Sequence, residues 1–367
     1  MITRLQTKVP HIPVTYLLII ANLLVFAAML AHGAGLWHSP NTVQLDWGAN
    51  FGPATKDGEW WRLGSAMFLH FGLLHLAMNM LALWDGGHLV ERMYGHVRFG
   101  LIYIASGLTG NLFSLIVQGD HAVSGGASGA IFGVYGAYLW FLWRERRQLK
   151  PTEFKWLFWG AAGFSAFAIS LGFVIPGIDN AAHIGGLLSG TLAAAALAKP
   201  SDAAASRYRR VPLLAAGTLA CCILALVASI PAPLYRWSEE KQAEGEIKEF
   251  IGDDAKIVAQ WNLIMGNAQK EGASFDQLAG QIESEVSSQY ADSFDQLAKL
   301  RLSPAAPSAM TLETLRNYAA MRRDASRELV EGLRANDPER IQKALELASK
   351  ASEQVGEKAT PSGPAKR

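Results

Sequence analysis

Residues 126–137 read GASGAIFGVYGA, and residues 182–190 read AHIGGLLSG. Both stretches are apolar, and each opens on a polar side chain that an apolar helix does not need. Behind Ser128 run Gly129, Gly133 and Ala137; around His183 run Ala182, Gly186 and Gly190. Small residues at every fourth position let helix backbones approach closely inside a membrane. The apolar stretches that hold these motifs, 127–143 and 181–198, are short and glycine-rich for isolated spans, which need about 20 residues. They fit helices buried in a bundle and covered by neighbours.

Such neighbours are present. Apolar stretches at 13–31, 65–84, 98–118, 155–175 and 211–231 complete a set of seven. The first is long and is followed by no small-residue cleavage site, so it reads as a span rather than a signal peptide. Of the 367 residues, 50% are hydrophobic and 18% charged, too apolar for a disordered chain and unusual for a soluble enzyme. The net charge of +1 excludes a global nucleic-acid footprint. Cys221 and Cys222 are adjacent within an apolar run. That excludes a disulfide framework and a cysteine zinc site, and they read as buried small hydrophobes. Residues 236–367 are dense in charge, unlike what precedes them. The sequence therefore predicts an all-α polytopic membrane protein followed by a soluble helical domain.

Lysine and arginine in short loops orient the spans. Arg4 and Lys8 precede the first span. Arg92 and Arg98 follow the second, Arg144, Arg146, Arg147, Lys150 and Lys155 the fourth, and Lys199, Arg207, Arg209 and Arg210 the sixth. The alternate loops hold only Lys56 and Arg62. The N-terminus is thus expected in the cytoplasm and, after seven spans, residues 236–367 outside. Short loops and this bias fit a bacterial inner membrane.

Ionisable residues inside spans are costly and mark function. His70, His75 and His183 fall within the expected spans, with Asn79 beside them. In this topology His70, His75, Asn79, Ser128 and His183 all lie toward the outer face. His75 and Asn79, four apart, share a helix face. His70, five residues before His75 and about 140° around the same helix, is expected to point elsewhere. Gly126 and Gly129 flank Ser128, allow a sharp entry to a helix, and leave its N-terminal amides facing any developing negative charge. These are the parts of a nucleophilic acyl-transfer site. His183 would take the proton of Ser128; His75, Asn79 and the Ser128 N–H would hold the oxyanion. Neither short span carries an Asp or Glu. Asp179, four residues before His183 in a loop, is a poor candidate to orient it, so a Ser–His dyad is expected. Such a pair needs no metal or organic cofactor.

At these residues the sequence resembles the rhomboid family of intramembrane serine proteases. The resemblance rests on Trp61-Arg62, His70, His75-x-x-x-Asn79, Gly86-Gly87 with Glu91, Gly110-Asn111, Gly126-Ala127-Ser128-Gly129 and Ala182-His183-Ile184-Gly185-Gly186, and runs across about 13–198. It implies a six-helix proteolytic core with an outward-open, water-filled cavity, Ser128 as nucleophile and His183 as base, with His75 and Asn79 assisting the oxyanion. His70, Trp61 and Arg62 match positions that are structural in the family. Phe132 stands where some members stack a tyrosine on the catalytic histidine, and keeps the ring without the hydroxyl.

The organisation expected is a cytoplasmic N-terminus at 1–12, the core at 13–198, a loop and seventh transmembrane helix at 199–235, a soluble helical domain at 236–355 and a disordered tail at 356–367. Within the soluble domain, helices are expected over 236–270, 274–300, 310–335 and 337–355, with Ser274 and Gln277 as a capping box. That domain would recruit substrates, self-associate or serve as a plain stabilising appendage. Substrates would be membrane proteins with one or few spans. Two other readings compete: a non-catalytic relative that binds membrane proteins and steers their folding or trafficking, and a transporter. The intact Ser–His pair disfavours the first. The lack of repeats and of a midplane site disfavours the second.

Overall fold

The structure is a computed structural model, and it describes residues 9–198 and 210–358. Arg4, Lys8, Lys199, Arg207, Arg209 and the tail from 359 lie outside the described residues. The chain forms two compact units, Met1–Pro233 and Leu234–Arg367.

Each of the seven apolar stretches of the first unit carries a helix: α1 Pro13–Ala31, α2 Leu73–Tyr94, α3 His96–Gln118, α4 Ser128–Glu145, α5 Pro151–Gly172, α6 Asn180–Ala196 and α7 Val211–Ala228. Four of them, α1, α3, α5 and α7, are long and apolar enough to cross a membrane on their own; α2 with the helical turns before it makes a fifth. The outer faces of α5 and α7 are apolar and uncovered. On α5 only Ala161 and Ser165 are buried, while Trp156, Trp159 and Phe167 are exposed. On α7 only Ala215 is buried. Cys221 and Cys222, expected to be buried, are exposed on α7. A helix facing lipid turns its apolar side chains outward, so hydrophobicity does not imply protein burial there.

The second span differs from its expectation. The stretch 65–84 is not one helix: Arg62–Ser65 and a 3₁₀ turn, Ala66–Phe68, meet α2 at 92°. The cause lies in the preceding loop. Leu69 is extended. Phe71 C=O accepts from Ser39 N–H and Leu36 C=O from Leu73 N–H, so segment 69–73 satisfies its backbone on loop 36–39 rather than in a helix. A Cβ at Gly72 would lie 2.2 Å from Trp37 O, so only glycine allows this approach. His70 therefore sits in the break rather than within a span.

α2 also runs ten residues beyond its apolar stretch, to Tyr94, because its polar end is covered by protein. Gly86 packs against the Tyr135 ring and Gly87 against Thr15. The fully buried Glu91 carboxylate accepts from Val14 N–H (3.0 Å), Thr15 N–H (2.8 Å) and Thr15 Oγ1 (2.6 Å), and pairs with His96 (2.7 Å). The first amides of a helix have no partner within it, and the N-cap of α1, Ile12, offers none. Glu91 supplies the cap from another helix. Glu91→Ala strands three donors, so we expect a loss of about 3 kcal/mol in stability and a lower unfolding temperature in micelles, with Glu91→Gln in between.

The loop between α1 and α2 folds onto α3 and the approach to Ser128. Strands β1 Asn50–Phe51 and β2 Val123–Ser124 pair antiparallel, Asn50 opposite Ser124. Lys56 and Asp120 form a buried ion pair. Asn111 Nδ2 donates to Leu63 O at 2.7 Å. Arg62 is buried and donates to Glu59 (2.5 Å), Leu45 O (2.7 Å) and Ala49 O (3.2 Å), while its neighbour Trp61 is exposed. Arg62 thus ties the loop from inside, and Trp61 faces outward.

The helices α4 and α6 meet backbone to backbone. A Cβ on Gly186 would stand 1.9 Å from Gly129 O, and one on Gly190 would stand 2.3 Å from Gly133 Cα. Gly110 of α3 approaches Ala182 O from the other side. Both stripes of small residues face each other, which sets the separation of Ser128 and His183.

The second unit is helical: α8 Trp237–Glu271, α9 Phe275–Ile282, α10 Ser288–Lys299, α11 Ala309–Ala335 and α12 Pro338–Lys358. The single helix expected over 274–300 is broken by a π-helical turn at Glu283–Ser287, and 356–358 end α12 rather than opening a tail. Ser274 and Gln277 form the capping box. Ile257, Ile282, Val286, Leu297, Leu312 and Leu329 are core residues. Among them Asp254 accepts hydrogen bonds from the Tyr290 and Tyr318 hydroxyls, at 2.8 and 2.9 Å. Burial pushes the Tyr318 hydroxyl up to about 12.

Candidate active site

Ser128 is the first residue of α4, and Ala127 before it gives no side-chain cap. The amides of the first turn are therefore unclaimed by the helix. Gly126 enters this turn at φ +144°, a conformation open to glycine. A Cβ there would press on the His75 ring at 3.0 Å, within 3.7 Å of Ser128 Oγ. Gly126 N–H donates to Ala66 O at 2.8 Å, pinning the loop to the 3₁₀ turn. The broken second span thus places both His75 and the floor beneath Ser128.

His183 lies in the first turn of α6 and is 7% exposed. Its Nε2 is 2.9 Å from Ser128 Oγ. Phe132, one turn after Ser128, stacks on the imidazole with centroids 4.3 Å apart and planes 17° from parallel. For Ser128 to donate to Nε2, the neutral ring carries its proton on Nδ1. That Nδ1 has no hydrogen-bond partner among the described residues. Stacking, rather than a carboxylate, orients the ring. Asp179 is engaged elsewhere: it accepts from Ala182 N–H (2.9 Å), Ser114 Oγ (2.5 Å) and Ser124 Oγ (2.5 Å).

His75 stands in the first turn of α2, and its Nδ1 accepts from Phe71 N–H at 3.4 Å. The proton of the neutral ring is then on Nε2, which faces Gly126. Asn79 is buried one turn below. Its Nδ2 donates to His75 O at 2.9 Å and retains a second N–H. His70 was expected to point away from His75 around a shared helix. The break overturns that geometry: the His70 ring is fully buried edge-on to His75, with centroids 5.0 Å apart.

The Ser128 hydroxyl, the His183 imidazole and the His75 ring, from three helices, therefore converge, with Asn79 one turn along α2 from His75. The Rhomboid domain family matches residues 57–200 of the chain. A second line of likeness comes from whole proteins. The rhomboid protease GluP of Bacillus subtilis is 36% identical over 270 residues, which cover 72% of this chain and 49% of that protein. YdcA, a rhomboid protein of the same bacterium, is 35% identical over 189 residues, which cover 51% of this chain and 89% of its own length. This chain belongs to the rhomboid family. The RHOMBOID-like protein 4 of Arabidopsis thaliana is 36% identical over 158 residues, 41% of this chain and 37% of that protein. The chain spans about half the length of GluP. With its apolar helices, this rhomboid is an integral membrane protein. The family match begins in the loop after α1, and the likeness to GluP covers more of the chain than 57–200.

Sequence reasoning missed how this rhomboid holds its site together. Asp179 was weighed only as a partner for His183, and Ser114, Ser124 and Phe71 carried no signal. Asp179 has the spacing of an N-cap, three residues before the amide it accepts from. That signal was available; its two serine partners, 55 and 65 residues away, were not.

Proposed function

We propose that this rhomboid is an intramembrane serine endopeptidase acting through Ser128 and His183. The observation that carries the reading is the 2.9 Å Ser128–His183 contact with Phe132 stacked behind it. His183 Nε2 takes the Ser128 proton as Oγ attacks a substrate carbonyl carbon. The oxyanion forms beside the His75 Nε2–H, the Ser128 N–H and the second Asn79 N–H. His183 then gives the proton to the departing amine, and the C–N bond breaks. Water repeats the attack on the acyl-enzyme, passing its proton to His183, which returns it to Ser128 Oγ as the ester C–O bond breaks.

The substrates are membrane proteins. A transmembrane helix hides its carbonyls in hydrogen bonds, so cleavage requires unwinding near one end. Small or helix-breaking residues there are the preference we expect. The alternating loop charge supports an N-terminus in the cytoplasm of a bacterial inner membrane, a core over 13–198, a seventh span within 199–235 and residues 236–355 outside. There the second unit would recruit substrates or a second copy.

The test is cleavage of a single-span reporter in liposomes, with the cut mapped by mass spectrometry. A cut near the outer end of the span supports the reading; capture of the reporter without cleavage replaces it with a binding role. His75→Ala is expected to lower kcat by about 10²–10³-fold, the usual cost of one oxyanion donor, with KM little changed. An unchanged kcat would remove His75 from the chemistry.

A further inference from the structure

His183 has no carboxylate behind it, yet its reaction requires a fixed distance to a serine 55 residues away. One side chain bridges the segments that carry them. Asp179 opens α6: its Oδ1 accepts from Ala182 N–H, and its carbonyl accepts from His183 N–H at 3.1 Å. Its Oδ2 accepts from Ser124 Oγ, four residues before Ser128 and paired to Asn50 across the short sheet. The same Oδ2 accepts from Ser114 Oγ, buried in α3. From Ser124 the chain reaches Ser128 through Gly125, Gly126 and Ala127 alone. The two glycines confer no stiffness, so the lead-in to Ser128 must be held from outside.

We infer that Asp179 is a positioning residue, which sets the approach of Ser128 to His183 by clamping the start of α6 to Ser124, and not by touching the imidazole. This rests on the protease reading. The chemistry favours a carboxylate: it is acceptor-only, with two oxygens able to take several donors at once, and here it takes one amide and two hydroxyls. Asparagine keeps the cap on Ala182 but turns a donor toward the serines. Their hydroxyls rotate to accept it, so Asp179→Asn is a partial replacement. Alanine removes all three bonds.

The experiment uses the full chain in liposomes, with active sites counted by a fluorophosphonate probe and turnover measured on the single-span reporter. Asp179→Ala is expected to lower kcat per labelled site by about tenfold to a hundredfold, the scale of a misplaced catalytic group, with KM little changed. Ser124→Ala should show the same kind of loss, smaller. The double variant should be no slower than Asp179→Ala, because both changes break one link. Asp179→Asn should recover part of the rate. If Asp179→Ala does not fold, Ser124→Ala and Asp179→Asn carry the test. Wild-type kcat per labelled site in these variants, with only the folded fraction reduced, makes Asp179 a plain helix cap and overturns the clamp. A wild-type chain that neither labels nor cleaves overturns the protease reading, and the clamp's purpose with it.

Discussion

Ser128→Ala and His183→Ala are each expected to abolish reporter cleavage, with kcat falling by roughly 10⁴-fold or more. Residues that act as one unit in acyl transfer lose nearly everything when either is removed. Here the unit is small. Ser128 Oγ is within hydrogen-bond reach of His183 Nε2, and Nδ1 has no partner among the described residues. No third member remains to share the loss. The double variant should therefore be no slower than either single one, whereas independent contributions would multiply. Neither variant is expected to take a fluorophosphonate label as the wild type does. Ser128→Ala has no hydroxyl for a fluorophosphonate to modify; His183→Ala keeps the hydroxyl but loses the base. Cleavage surviving Ser128→Ala would mean another nucleophile.

Gly186→Val should be the most damaging change outside the reacting groups. Ordinary overpacking costs about 1–3 kcal/mol, because side chains give way. At Gly186 the first added atom would stand 1.9 Å from Gly129 O, which is backbone of the facing helix. A helix backbone has no alternative rotamer, so α4 and α6 must part, and Ser128 and His183 with them. A cost above about 3 kcal/mol is expected, with kcat lowered by roughly 10²-fold in whatever still folds. Gly163→Val on α5 is the control: a Cβ there meets nothing within 4 Å, and the cleavage rate should be unchanged. Equal tolerance at both glycines would mean that the helices do not meet as described.

Much of this was legible because it is local. Apolar runs of helix length, the four-residue spacing of small side chains and the chemistry of a serine between glycines are properties of neighbouring residues. They suffice for seven helices, for the pairing of the α4 and α6 stripes and for Ser128 and His183 as a candidate pair. His70 was misplaced for the converse reason. Gly72 is the one mark of the break within 65–84, and a lone glycine does not announce it, because the break is made by backbone bonds to residues 36–39. The cysteines of α7 were misread because apolarity says that a side chain avoids water, and in a membrane lipid satisfies that as well as protein does.

The sequence by itself determined that the chain belongs in a membrane, where its apolar stretches lie, and which polar side chains stand in or beside them. Tertiary structure alone decided how those side chains are aimed. The Phe71 amide chooses the His75 tautomer, Glu91 caps a helix 76 residues away, and Asp179 joins three segments through one carboxylate. The Glu91 bonds and the Asp179 bonds to Ser114 and Ser124 join groups that meet only after the chain has folded, and the Phe71 bond stands at the break that loop 36–39 makes before α2. Their energies depend on distance and direction across space, which residue order does not encode directly.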